Sequence, residues 1–264
     1  MEALAHVDVW PSQVMVLALS TTRVAVAFLL LPLFMPETMP ALVRNAVFLA
    51  LAALSIALQP AVDVGHFHAV DWLRLFGKEI FIGAAIGVLF GSVLWAFDVA
   101  GQIIDMKTGA SMAQVMDPLS GHQTPLTSTL LSRLAMMLFM SSGGFLLLVG
   151  LMLQSYALWP VGAALPPPHP GGVTLIEAEF GRIATLGLLI SAPALVVLYV
   201  VEGVFGLINR FAQQLNVFAL SSSIKVLASQ ALLILLLSTF AQLLVDDIAA
   251  RPAVVLRSLK AMLR

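Results

Sequence analysis

Long apolar runs, parted by short polar or proline-bearing breaks, set the pattern of this sequence. Six of them approach the ~20 residues that a bilayer-crossing helix needs: Val14–Phe34, Ala41–Leu58, Leu73–Phe97, Leu126–Trp159, Ile183–Ile208 and Val226–Val245. The fourth is long enough for two shorter helices, with Gly143-Gly144 as the predicted joint. Pro32, Pro36 and Pro40 end the first run and Pro60 closes the second, because an interior proline loses a backbone hydrogen bond and clashes with the preceding turn. LPPPHPGG (Leu165–Gly172) predicts an extended loop. No soluble domain, linker or internal repeat is legible. The pattern predicts one all-α domain over residues 1–264, with a polar loop at 101–125, a Pro/Gly-rich loop at 160–182 and a basic C-terminal tail at 246–264.

Composition fixes the surroundings. Of 264 residues 60% are hydrophobic and 10% charged, whereas a soluble domain is about half apolar and about a quarter charged. The chain is therefore read as a membrane protein. Its net charge of -1 gives no basic footprint for nucleic acid, and the absence of cysteine excludes disulfides, thiolate metal sites and a Cys nucleophile. Glu2 and Asp8, with no nearby Lys or Arg, argue against a secretory signal.

Loop charges then give a contradictory topology. Cytoplasmic loops are enriched in Lys and Arg. The N-terminal tail and Val62–Asp71 have none, while the C-terminal tail holds Arg251, Arg257, Lys260 and Arg264. Six simple crossings cannot place the two ends on opposite sides. Either one run does not cross, or the runs are hairpins packed in protein. Charges within or beside the runs point the same way: Arg23, Lys78-Glu79, Asp98, Arg133 and Glu202. A charge at bilayer centre costs ~2.5–3.5 kcal/mol on insertion scales, so such residues face protein or water. Arg23, Lys78 and Arg133 can instead snorkel to the interface. Glu202 follows the apolar stretch Leu195–Val201 and reads as buried and partnered.

Gly83, Gly87 and Gly91 form GxxxGxxxG. At this spacing they share one helix stripe and admit a neighbouring backbone, in this chain or another. Catalytic chemistry is not signalled. His66 and His68 are two apart, unlike a helical zinc pair. Neither Ser20-Thr21-Thr22 nor Ser221-Ser222-Ser223 has a neighbouring histidine, and no phosphate-cradling glycine motif occurs. Glu202–Lys225 interrupts an apolar run with Asn209, Arg210, Gln213, Gln214 and Asn216. It reads either as a polar hairpin or as an amphipathic docking face whose amides need partners at membrane depth.

Three groups of residues, in order and correctly separated, carry a family resemblance. They are Lys78-Glu79 with Ile82-Gly83 and Gly87; Gly101, Asp105, Gly109, Met112 and Asp117-Pro118; and Gly206 to Arg210 with Gln214-Leu215 and Phe218. The chain resembles the export-gate subunit of type III secretion systems, the FliR/SctT (YscT, HrcT) family. NRFAQQLNVF looks more like the virulence branch than the flagellar one. The resemblance implies an all-helical subunit with no cofactor, packed as hairpins into a hetero-oligomeric cone rather than as six lipid-facing spans. It implies SctR/FliP-type and SctS/FliQ-type partners, an SctU/FlhB-type switch protein, and unfolded protein substrates in transit. The place implied is the bacterial inner membrane at the centre of the basal body, with the cone projecting to the periplasmic side.

Within that resemblance, residues 101–125 look like a channel plug, with Met106, Gly109, Met112, Met116, Asp117 and Pro118 as gate residues. Glycine bends cheaply and methionine fills irregular gaps. Glu79, Glu202, Asn209, Arg210, Gln214 and Lys225 are the expected assembly contacts. A secondary transporter using Asp98, Asp105 and Glu202 as a relay is the alternative, although the paired halves of such carriers are absent.

Overall fold

The computed structural model describes residues 9–32, 39–59, 69–109, 125–163, 170–211 and 217–262. Among these residues all regular structure is α-helical, in eight helices: α1 Val9–Leu29, α2 Ala41–Leu58, α3 Ala69–Thr108, α4 Leu126–Ser141, α5 Gly144–Leu158, α6 Pro170–Phe211, α7 Val217–Leu235 and α8 Leu237–Met262.

Local chemistry explains most of the boundaries. α1 stops three residues before Pro32, and its end tightens through the Leu31 N–H to Phe28 O bond of 3.2 Å. α3 ends at Gly109, whose φ of 73° is left-handed and suits only glycine at low cost. Between α4 and α5 the chain bends by 70° at Gly143, φ 81°, where the sequence predicts the joint. α7 and α8 meet at a 56° bend at Leu236 that no glycine or proline marks.

Three expected boundaries differ. Residues 101–108 continue α3, because Asp98, Gln102 and Asp105 find hydrogen-bond partners; the helix stops only at Gly109. The expected loop 160–182 is helical from Pro170, which opens α6 where its missing N–H costs nothing. The basic tail from 246 lies in α8 through Met262, and its Arg251 is 2% exposed. One of the four cations that set the loop-charge expectation is therefore a core residue.

α3 and α6 alone are long and apolar enough to cross a bilayer among the described residues; the bent pairs α4–α5 and α7–α8 pass that test only when each pair counts as one. At ~1.5 Å per residue, the 40 residues of α3 and the 42 of α6 each reach about twice the ~30 Å of a hydrocarbon core. The chain is an all-α membrane protein.

Two compact units share these helices. The first holds α1, α2, α3 up to Gly91, Gly143–Glu179, and Ile248 onward. Its core gathers Phe28, Phe48, Ile82, Ile86, Leu151 and Tyr156, all at most 3% exposed, with Phe28 in ring contact with Phe48 and Phe145. The second holds Ser92–Ser142 and Phe180–Asp247. Phe97, Ile104, Leu131, Phe139, Leu198 and Phe240 are buried there, and Phe97 meets Phe240 edge to face at 6.2 Å.

Candidate functional site

The glycine stripe of α3 meets α1 of the same chain. A Cβ at Gly83 would sit 2.6 Å from Arg23 O, one at Gly87 2.9 Å from Ala27 O, and one at Gly91 2.7 Å from Leu31 Cδ2. Residues 23, 27 and 31 repeat the glycine spacing, so one helix lies along the other in the same direction. This close approach delivers Arg23 to Glu79, one turn before Gly83. Arg23 Nε donates to Glu79 Oε2 at 2.5 Å and Nη2 to Oε1 at 2.9 Å, with both side chains fully buried. The guanidinium also donates to Ser155 Oγ and Trp159 O and lies 4.1 Å from the Tyr156 ring centre. Tyr156 in turn donates to Ser20 O at 2.6 Å.

Lys78 completes the cluster. Its Nζ lies 3.1 Å from Glu79 Oε1 and donates to Pro160 O, Val161 O and Ala163 O at 2.6 to 2.9 Å. Two cations thus share one carboxylate, and the surplus positive charge faces carbonyls that follow the C-terminal, negative end of α5. Of the two readings open for Arg23 and Lys78, the geometry selects burial. Arg133 is exposed on α4, as snorkelling requires.

The second locus surrounds the α3–α4 connection. Met106 is 75% exposed, and Gly109 closes α3. Met112, Met116, Asp117 and Pro118 lie outside the described residues, as does Gln214. Asp98 accepts from Ser128 Oγ, Ser132 Oγ and Gln102 Nε2. Asp105 accepts from the backbone N–H groups of Thr127 and Ser128.

The third locus is the end of α6. Glu202 lies exposed and meets Lys225 Nζ at 3.5 Å; it is partnered, but this chain does not bury it. Asn209 and Arg210 are exposed about two turns further on. Asp98, Asp105 and Glu202 each answer to their own partners rather than to one another. Sequence reasoning missed two further pairs. Arg251 donates to Glu179 and to Leu89 O in the first unit. Arg182 pairs with Asp247 and reaches Ser92 Oγ in the second. The spacings Glu179 to Arg182 and Asp247 to Arg251, each about one helical turn, were the available signal.

Known proteins resemble the chain over most of its length. The family described as "Bacterial export proteins, family 1" matches residues 14–250. Yop proteins translocation protein T of Yersinia pestis is 33% identical over 217 residues, 81% of this chain and 82% of that protein. Surface presentation of antigens protein SpaR of Salmonella typhimurium is 30% identical over 88% of this chain and 85% of its own length. Flagellar biosynthetic protein FliR of Bacillus subtilis is 28% identical over 88% of each chain.

Proposed function

The chain belongs to the bacterial export proteins, family 1, and on that premise we propose that it is a pore and gate subunit of a type III protein secretion apparatus. It is an export-apparatus component and not an enzyme. The higher identity to the Yersinia and Salmonella relatives than to the flagellar one favours the virulence branch. As a component of such an apparatus it works within a membrane complex; SctR/FliP-type and SctS/FliQ-type subunits, with an SctU/FlhB-type protein, are the partners proposed. Its place is the bacterial inner membrane, with part of the assembly on the periplasmic side.

One observation carries this reading beyond family membership. α6 is apolar enough to span, yet only 33% of its most apolar window is covered within the chain. The uncovered face runs on into exposed Asn209 and Arg210, and a helix about twice as long as a hydrocarbon core is thick cannot be covered by lipid over its whole length. A helix of that kind is built for protein neighbours. The end of α3 from Gly101 and the segment joining it to α4 are proposed as the plug, with Met106, Gly109, Met112, Met116, Asp117 and Pro118 as its gate residues. Gly83, Gly87 and Gly91 are proposed as internal packing residues, and Glu202, Asn209, Arg210, Gln214 and Lys225 as assembly determinants; Glu79, expected among these, is instead fully buried against Arg23 and Lys78 of its own chain and so is not a contact surface. Deleting residues 109–113 in the assembled complex tests the plug: small-ion conductance rises, and unchanged conductance removes it.

A further inference from the structure

α4 begins without a cap of its own. Its N-cap residue is Pro125, and no side chain bonds back to the first turn from that position. The N–H groups that a cap serves are those of the second and third helical residues, here Thr127 and Ser128. Both are taken by Asp105, which lies in the last turn of α3: Oδ1 accepts from Thr127 N at 3.2 Å and Oδ2 from Ser128 N at 3.0 Å. A carboxylate at a helix N-terminus also meets the positive end of the helix dipole.

Asp105 does not act by itself. Asp98, Gly101 and Asp105 are spaced by three and four and so share one face of α3. A Cβ at Gly101 would lie 2.3 Å from Ser128 Cα, so the two helices touch there backbone to backbone. Asp98, one turn before Gly101, takes the hydroxyls of Ser128 and of Ser132, one turn further along α4. From a third helix, Gln230 Nε2 donates to Thr127 Oγ1 at 3.1 Å. Asp105, Thr127 and Ser128 are 2 to 4% exposed, so water does not compete for these bonds.

We infer that the Asp98–Gly101–Asp105 face clamps the start of α4 to the end of α3, and that Asp105 is the positioning residue fixing the two stems of the segment between them. A cap in cis would stabilise α4 equally well but would leave the stems held only through Asp98 and the Gly101 contact, both further from the segment between them. Placing the cap on the opposite stem makes helix capping and stem closure one event. The consequence for sealing rests on the gate reading above; the clamp itself does not.

The chain lacks cysteine, so labels can be placed at will. Spin labels at Lys107→Cys and Leu126→Cys, both exposed sites outside the named gate residues, report the stem separation in the assembled complex. Asp105→Ala should broaden the distance distribution at least twofold, and Asp105→Asn less. Pro125→Asp, added to Asp105→Ala, gives α4 its own cap and restores the helix; the distribution should stay broad and ion conductance several-fold raised. A narrow distribution in that double variant would reduce Asp105 to a cap and overturn the clamp. A broad distribution with unchanged conductance would uphold the clamp and remove the gate reading instead.

Discussion

α3 and α6 are near equals in length and apolarity, yet 72% of the most apolar window of α3 is buried within the chain and only 33% of that of α6. Hydropathy records that both helices avoid water. It does not record what replaces water. α3 carries Gly83, Gly87 and Gly91 where another backbone touches it, and Lys78 and Glu79 where Arg23 awaits. α6 carries Gly203 and Gly206 with open space around each, and a stripe of Leu189, Val196, Val200, Leu207 and Phe211, each more than half exposed. The first helix is solvated by its own chain. The second is left largely uncovered by its own chain.

The largest break in that contrast comes from the ion cluster. Glu79→Gln leaves Arg23 and Lys78 buried with too little negative charge, and losing one partner of a buried pair costs ~3–5 kcal/mol. The yield and the thermal midpoint of the purified chain in detergent should collapse. By contrast, Arg23→Met with Glu79→Gln should recover part of that loss, since one charge of each sign is removed. A double variant no better than the single would show that the pairing itself is unimportant.

Next come the glycines. Gly83→Ala would put a methyl 2.6 Å from Arg23 O and should cost about 1–3 kcal/mol, the usual range for overpacking. Gly203→Ala meets no atom within 4 Å and should be neutral or stabilising by up to ~1 kcal/mol in the isolated chain, because alanine is the better helix former. The two midpoints measured side by side sharpen the comparison; equal shifts would erase it. In the assembled complex, however, Gly203→Ala should lower recovery of partner subunits if a helix seats there.

The smallest effect is expected at Lys225. Its own side chain is 13% exposed, but its partner Glu202 is 56% exposed, so solvent screens the pair, and screened pairs contribute ~0–1 kcal/mol. Lys225→Ala should leave the stability of the isolated chain within that range. A loss above ~2 kcal/mol would mean the pair is far better shielded than a surface pair.

What the sequence made legible follows from range. The 143 joint, the proline stop before residue 32 and the shared stripe of 83, 87 and 91 are local patterns, readable from spacing. Which helix fills the stripe is not local: Arg23 and Glu79 are 56 residues apart and Arg251 and Glu179 are 72 apart. Arg251 therefore passed for a solvated tail residue, and Glu179 fell in a stretch read as loop. Polar residues in the last two turns of α3 made residues 101–108 look like loop, because their partners on α4 lie beyond any helical window. Resemblance pointed to Asp105 without its role. The missing clue was a helix start at Pro125 with no capping side chain, facing an aspartate one turn before a glycine stop. The Leu236 bend has no local signature.

The most direct test is site-specific photocrosslinking from Val196 and Val200 on α6 in the membrane-embedded, assembled apparatus. Both residues are over 60% exposed in the chain. The account predicts that each position forms an adduct with another protein subunit, lost when the partner subunits are omitted. Adducts with lipid alone, from both positions in the complete assembly, would contradict it.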